Sequence, residues 1–153
     1  MTMFQIAAST VTIATPDQVW AVLDDFGGWP RWMPALERIA VEVPPAQTPR
    51  LGYRFKLRSG IVHTDMEVVE FTPLARSTSF RISFPPINGT NSCRMVPLDD
   101  GRHRIERVDA LDLPEPLVGF LLATQRERFE QLATEFVVAL KRAVEERSNR
   151  GPA

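Results

Sequence analysis

The chain has 153 residues, 44% hydrophobic and 24% charged, with 18 Lys and Arg against 19 Asp and Glu. A chain of this length buries about 68 to 70% of the surface it exposes when unfolded, enough for one self-sufficient core without metal or disulfide staples. A formal charge of -1 supplies no field for phosphate backbones, so nucleic acid is excluded as a main partner.

The elements follow in chain order. Phe4, Ile6 and Ala8 share one face of an extended segment while Val11 and Ile13 fall on the other parity, which predicts a bulge near Ser9. Thr15, Pro16 and Asp17 are good helix-start residues, and Val19, Trp20, Val22 and Leu23 make a helical stripe, so a short helix is predicted over 16–25. Phe26-Gly27-Gly28 should end it, and the proline-rich 29–34 allows one brief helical turn. Strands are predicted at 37–43, 53–58, 61–72, 76–84, 90–97 and 103–111, with Ser59-Gly60 and Asp99-Asp100-Gly101 as turns. From Leu117 to Arg147 apolar residues recur at three and four, which predicts one long amphipathic helix followed by a frayed tail over 149–153.

Strands joined by short turns form an antiparallel meander. The expected architecture is α+β: a seven-stranded, strongly curved antiparallel sheet wrapped around the C-terminal helix, with two short helices between the first two strands, in a single domain over 1–148. Such a sheet leaves space against the helix wherever small side chains line the contact, and that space is the candidate site.

Cys93 stands alone, with only His63 and His103 as imidazoles. An internal disulfide and a Cys-only zinc site are thereby ruled out, no metal or other cofactor is expected, and a reduced, cytoplasmic protein is the simplest reading. The first fifteen residues lack the basic start of a signal peptide. No run approaches the roughly 18 apolar residues of a membrane span, so no integral membrane association is expected. A homodimer is compatible with the sequence.

The segments ATPDQVWAVLDDFGGWPRWMPAL, VVEFTPLAR and PLDDGRHRIERVDAL, followed by the terminal helix, resemble the START-like, helix-grip superfamily called SRPBCC, particularly its polyketide cyclase/dehydrase-like branch. The resemblance spans nearly the whole chain. It implies the helix-grip fold and a cavity, and it leaves activity open, since the superfamily includes aromatase/cyclases, lipid and hormone carriers and proteins that act through partners. It also implies that the last strand presents polar residues to the cavity and that the Trp29–Trp32 segment lies at the cavity mouth.

Arg107 and Asp109 are in phase with Ile105 and Leu111 on the last strand. Inside a cavity they would pair, with Arg107 anchoring a ligand carbonyl or carboxylate; on a rotated strand they would be solvated charges. Glu70 shares parity with Met66 and Val68 and is a general-base candidate, unless the strand end bulges and exposes it. Trp32 offers a flat surface with one donor, and Tyr53 the only tyrosine hydroxyl. Phe55, Met66, Phe80, Phe84, Cys93 and Met95 are expected to line the wall, with Val118 and Leu122 closing it from the helix. Cys93 is expected to be an inert buried thiol. His63, Asp65 and Glu67 alternate on a charged face that reads as solvated, and His103 is expected in solvent.

The leading expectation is binding of a mainly apolar small molecule, lipidic, aromatic or polyketide-like, between sheet and helix. A second is a metal-free cyclase, aromatase or dehydratase using Arg107 with Asp109 or Glu70. A third is a protein-interaction module built on the proline-rich edge around 44–49. A deep pocket with a polar end separates the first two from the third.

Overall fold

The computed structural model describes residues 2–34 and 36–149. Seven strands, β1 (Thr2–Thr12), β2 (Ala40–Glu42), β3 (Arg54–Ser59), β4 (Val62–Thr72), β5 (Ala75–Ile82), β6 (Ile87–Pro97) and β7 (His103–Leu113), form one sheet in the order β1-β7-β6-β5-β4-β3-β2. Every neighbouring pair is antiparallel. Helix α1 (Pro16–Leu23) and a 3₁₀ helix (Phe26–Arg31) connect β1 to β2, and α2 (Glu115–Thr124) and α3 (Arg126–Asn149) follow β7. This is the α+β helix-grip architecture.

Helix α1 starts where its capping chemistry dictates. The Thr15 hydroxyl accepts from the Gln18 backbone N–H, and the Gln18 side chain accepts from the Thr15 N–H, a reciprocal box with Pro16 in the first turn. Thr15→Ala is expected to lower stability by about 1 kcal/mol, read from urea unfolding, because an orphan N–H loses its acceptor. The 3₁₀ helix begins at Phe26 and includes the diglycine, so those glycines join the helical turn instead of ending α1 and standing apart from it.

Several sequence expectations are corrected. β1 pairs with β7 in unbroken register from Thr2↔Leu113 to Thr12↔His103, so there is no bulge at Ser9. The inward parity simply continues through Thr10 and Thr12 in place of apolar residues, and the Thr12 hydroxyl bonds Glu145 at 3.1 Å. The real bulge lies in β4, where Val68 faces Thr78 but Glu70 faces Ser77, leaving Val69 as the extra residue. β2 is only three residues long.

The C-terminal helix is broken at Gln125. Length explains the break: the 24 residues of α3 span about 36 Å at 1.5 Å each, the same as an 11-residue strand at about 3.3 Å per residue. An unbroken helix from 115 onward would overhang the sheet by its first three turns. α3 extends through Asn149, and the rest of the expected frayed tail, 150–153, lies outside the described residues.

Side chains paired across neighbouring strands share a face. One row of the inner face runs Phe4, Leu111, Gly89, Phe80, Met66, Phe55; the next runs Ile6, Asp109, Asn91, Thr78, Val68; a third runs Ala8, Arg107, Cys93, Arg76. A polar band thus crosses an otherwise oily floor. α3 covers it with Ala133, Phe136, Val137, Leu140 and Val144, all buried.

Candidate functional site

Two adjoining spaces lie between the sheet and α3. The larger, about 380 Å³, is walled by Phe4, Ile6, Met66, Phe80 and Leu111 from the sheet, Met33 from the loop after the 3₁₀ helix, and Phe129, Leu132 and Phe136 from α3. The smaller, about 50 Å³, lies deeper, among Leu23, Phe26, Val68, Arg76, Thr78 and Cys93. Trp29, Met33, Asn91, Arg107 and Phe136 border both. Arg107 therefore stands at the junction.

Its guanidinium is held from two directions. Nε donates to Asp109 Oδ1 and Oδ2 at 2.9 and 3.0 Å, and Nη2 lies 2.9 Å from Oδ1. Cζ sits 3.5 Å from the centroid of the Phe136 ring, a cation–π contact from α3. The two side chains are 14% and 25% exposed. A charge this withdrawn persists because it is paired and stacked.

A second arginine closes the inner chamber. Arg76 Nε donates to Asp24 Oδ1 at 3.1 Å, Nη1 donates to the carbonyls of Thr72 and Ala75, and Cζ lies 4.6 Å from the Trp20 ring and 3.7 Å from Phe71. Burial pushes the Asp24 carboxyl above the usual carboxylate range, with the Arg76 hydrogen bond and charge pulling it partly back. A raised folded-state value means that Asp24 contributes to stability in acid and loses that contribution as pH rises through its midpoint.

Cys93, buried on the chamber wall, has its thiol pushed up to about 11, chiefly by desolvation. The expected result with a thiol-modifying reagent at pH 8 is no labelling of the folded chain and complete labelling in denaturant.

The remaining candidates are distributed as follows. Met66 and Phe80 line the larger cavity. Gly89 accommodates the Phe80 ring, since a Cβ there would overlap both that ring and the Ala110 carbonyl. Tyr53, Phe55 and Met95 are core residues outside the cavity: Phe55 stacks on Phe26 at 4.0 Å, and Tyr53 packs on the same ring at 5.3 Å. The 3₁₀ helix carries Phe26 into the space that the sequence reading assigned to ligand. Val118 is buried in a second cluster with Phe4, Ile6, Leu113 and Ala133, and Leu122 is 42% exposed, because α2 turns away at Gln125. Trp32 packs its ring on Phe136 at 5.7 Å and borders a surface groove against α3. Phe84 lies beyond the end of β5 and is 74% exposed.

Glu70 takes the second of its two alternatives, the bulged one. The bulge at Val69 rotates it to the outer face, where Oε1 accepts from the Ser77 hydroxyl at 2.8 Å and Arg94 lies 3.6 Å away. His63 and Asp65 are 4.0 Å apart on that outer face, with Lys56 3.6 Å from Asp65. His103, expected in solvent, is half-buried with Nδ1 sealed from it.

The sequence reading missed Asn91, Arg76 and Asp24, and passed over Thr78 as a site residue. The first two carried a signal: Asn91 shares parity with Cys93 and Met95, and Arg76 with Thr78 and Phe80, each a polar residue at an apolar position. Asp24 carried none, since only the docking of α1 beside β5 brings it to Arg76.

A curved antiparallel sheet gripping a long C-terminal helix defines the class, a helix-grip protein. Residues 3–145 match the family model described as polyketide cyclase / dehydrase and lipid transport, and the chain belongs to that family. No curated protein matches the chain. Among solved structures, the Zhui aromatase/cyclase of a Streptomyces species superposes with a TM-score of 0.67 at 17% identity, covering 99% of this chain and 100% of that one. A START superfamily protein from Mycobacterium smegmatis does so with a TM-score of 0.60 at 15% identity, covering 93% and 97%. Norcoclaurine synthase from Thalictrum flavum gives 0.64 at 12% identity, covering 95% and 88%. These likenesses carry the fold. Among the described residues no helix is long and apolar enough to cross a membrane.

Proposed function

We propose that the protein binds a mainly apolar small molecule in the space between the sheet and α3, with the ligand's polar end at Arg107. The observation that carries this reading is the cavity itself: about 380 Å³ of largely apolar wall with one withdrawn guanidinium–carboxylate pair at its inner end. Small-molecule sites combine these features, a volume of about 300 to 1,000 Å³ and a few convergent polar groups on an oily surface. A module acting only through protein partners has no need of such a space. A cyclase-type reaction at this site would draw on Arg107 with Asp109 alone, since Glu70 lies on the opposite face of the sheet.

Native mass spectrometry of the chain purified from its source tests the reading. A small molecule retained by the unchanged protein and lost from Ala133→Phe, which fills the cavity from α3, is the expected result. Equal retention by both proteins would place the ligand elsewhere, and no retained molecule together with no binding of any apolar probe would remove the reading.

A further inference from the structure

We propose that the buried end of the ligand is a neutral oxygen, a ketone or a phenol, and not a free carboxylate; this rests on the cavity-binding reading above. Arg107 offers no unopposed positive charge, because Asp109 takes up its Nε and Nη2 at 2.9 to 3.0 Å. On the far side of the inner chamber Asp24 balances Arg76 in the same way, at 3.1 Å. Two cations and two anions line the inner end, and they cancel. A carboxylate arriving there would be a third negative charge among Phe26, Trp29, Met33 and Cys93, with its desolvation repaid by no free cation.

The hydrogen-bonding capacity left open at the junction is neutral or already balanced. The Asn91 amide and the Thr78 hydroxyl have no hydrogen-bond partner among the described residues, and neither is sealed: the one sealed side-chain N or O without a partner there is His103 Nδ1. Arg107 Nη1 is equally uncommitted and equally unsealed. Asn91 is the cross-strand partner of both Thr78 and Asp109, so the three side chains stand in one row about 5 Å apart. The amide N–H and guanidinium N–H donate to a carbonyl oxygen, and the amide oxygen and hydroxyl accept from a phenol O–H. A neutral head satisfies the row without importing charge. Asp109 is on this account the group that sets charge selectivity.

Calorimetric titration with three naphthalenes of one shape tests this: methyl naphthyl ketone, naphthol, and naphthoic acid, which is ionised at neutral pH. In the unchanged protein the ketone and naphthol are expected to bind at least about tenfold more tightly than naphthoate. In Asp109→Asn, which keeps the shape but unmasks the guanidinium, the ratio of ketone to naphthoate affinity is expected to shift at least about tenfold toward naphthoate. Naphthoate binding as tightly as the ketone in the unchanged protein overturns the proposal, and that comparison needs no variant. A ratio unmoved by Asp109→Asn, with circular dichroism showing the variant folded, overturns it as well. Binding of all three probes alike sinks this inference and leaves the cavity reading standing, whereas binding of none overturns this inference and removes the cavity reading as well only where native mass spectrometry retains no small molecule.

Discussion

Phe136→Ala is expected to lower the free energy of unfolding by about 3 to 5 kcal/mol, the range for truncating a buried phenylalanine. The residue is 5% exposed and holds three structures together. Its ring is the platform for Arg107 at 3.5 Å, packs on Trp32 at 5.7 Å, and forms part of the partition between the two spaces. Urea unfolding measures it directly. A loss below about 1 kcal/mol would mean that α3 is not seated on the sheet through this residue. Joining the two spaces should also change which ligands the cavity admits, so retention of a bound molecule is read on the same sample.

The second large effect concerns the Arg107–Asp109 pair. Breaking a fully buried pair by removing one partner costs about 3 to 5 kcal/mol. A quarter of the Asp109 side chain remains exposed and Phe136 continues to support the guanidinium, so Asp109→Ala is expected to cost about 2 to 3 kcal/mol. The double change Arg107→Met with Asp109→Leu should recover most of that loss, since two apolar side chains replace the two charges in the same space. It should at the same time abolish binding of any ligand that needs the polar anchor. Stability and binding then move in opposite directions within one pair of variants, an outcome that a solvated surface pair would not produce. If Asp109→Ala changes unfolding by less than about 0.5 kcal/mol, the pair is worth no more than an exposed one.

How much of this was legible beforehand depends on the range over which each feature is determined. Element type and order follow from local periodicity and turn chemistry: the helix start at Thr15, Pro16 and Asp17, the Ser59-Gly60 turn with Gly60 at φ +60°, and the alternation Ile105, Arg107, Asp109, Leu111. Steric and hydrogen-bonding constraints within a few residues act whatever the rest of the chain does. The meander and the helix grip follow from those constraints, and so does the placing of Arg107 and Asp109 on one face with Ile105 and Leu111; they leave open whether that face turns inward as a cavity pair or outward as solvated charges.

Other features depended on partners distant in sequence. Nothing in VVEF announces that Val69 is the extra residue of a bulge, since the bulge is defined against Thr78 and Ser77 on β5, and one such residue moves Glu70 from the inner to the outer face. Tyr53 and Phe55 alternate like cavity wall, yet Phe26, arriving on the 3₁₀ helix, fills the space before them. Val118 and Leu122 continue the helical stripe, but the break at Gln125 leaves Val118 packed on Phe4 and Ile6 outside the cavity and Leu122 exposed. The inner chamber exists only because α1 carries Asp24 to Arg76, 52 residues away. Local pattern alone is enough for the fold and for setting Arg107 and Asp109 on one face of the last strand; tertiary packing chose which residues surround the empty space, because a cavity is what remains after every distant element has docked.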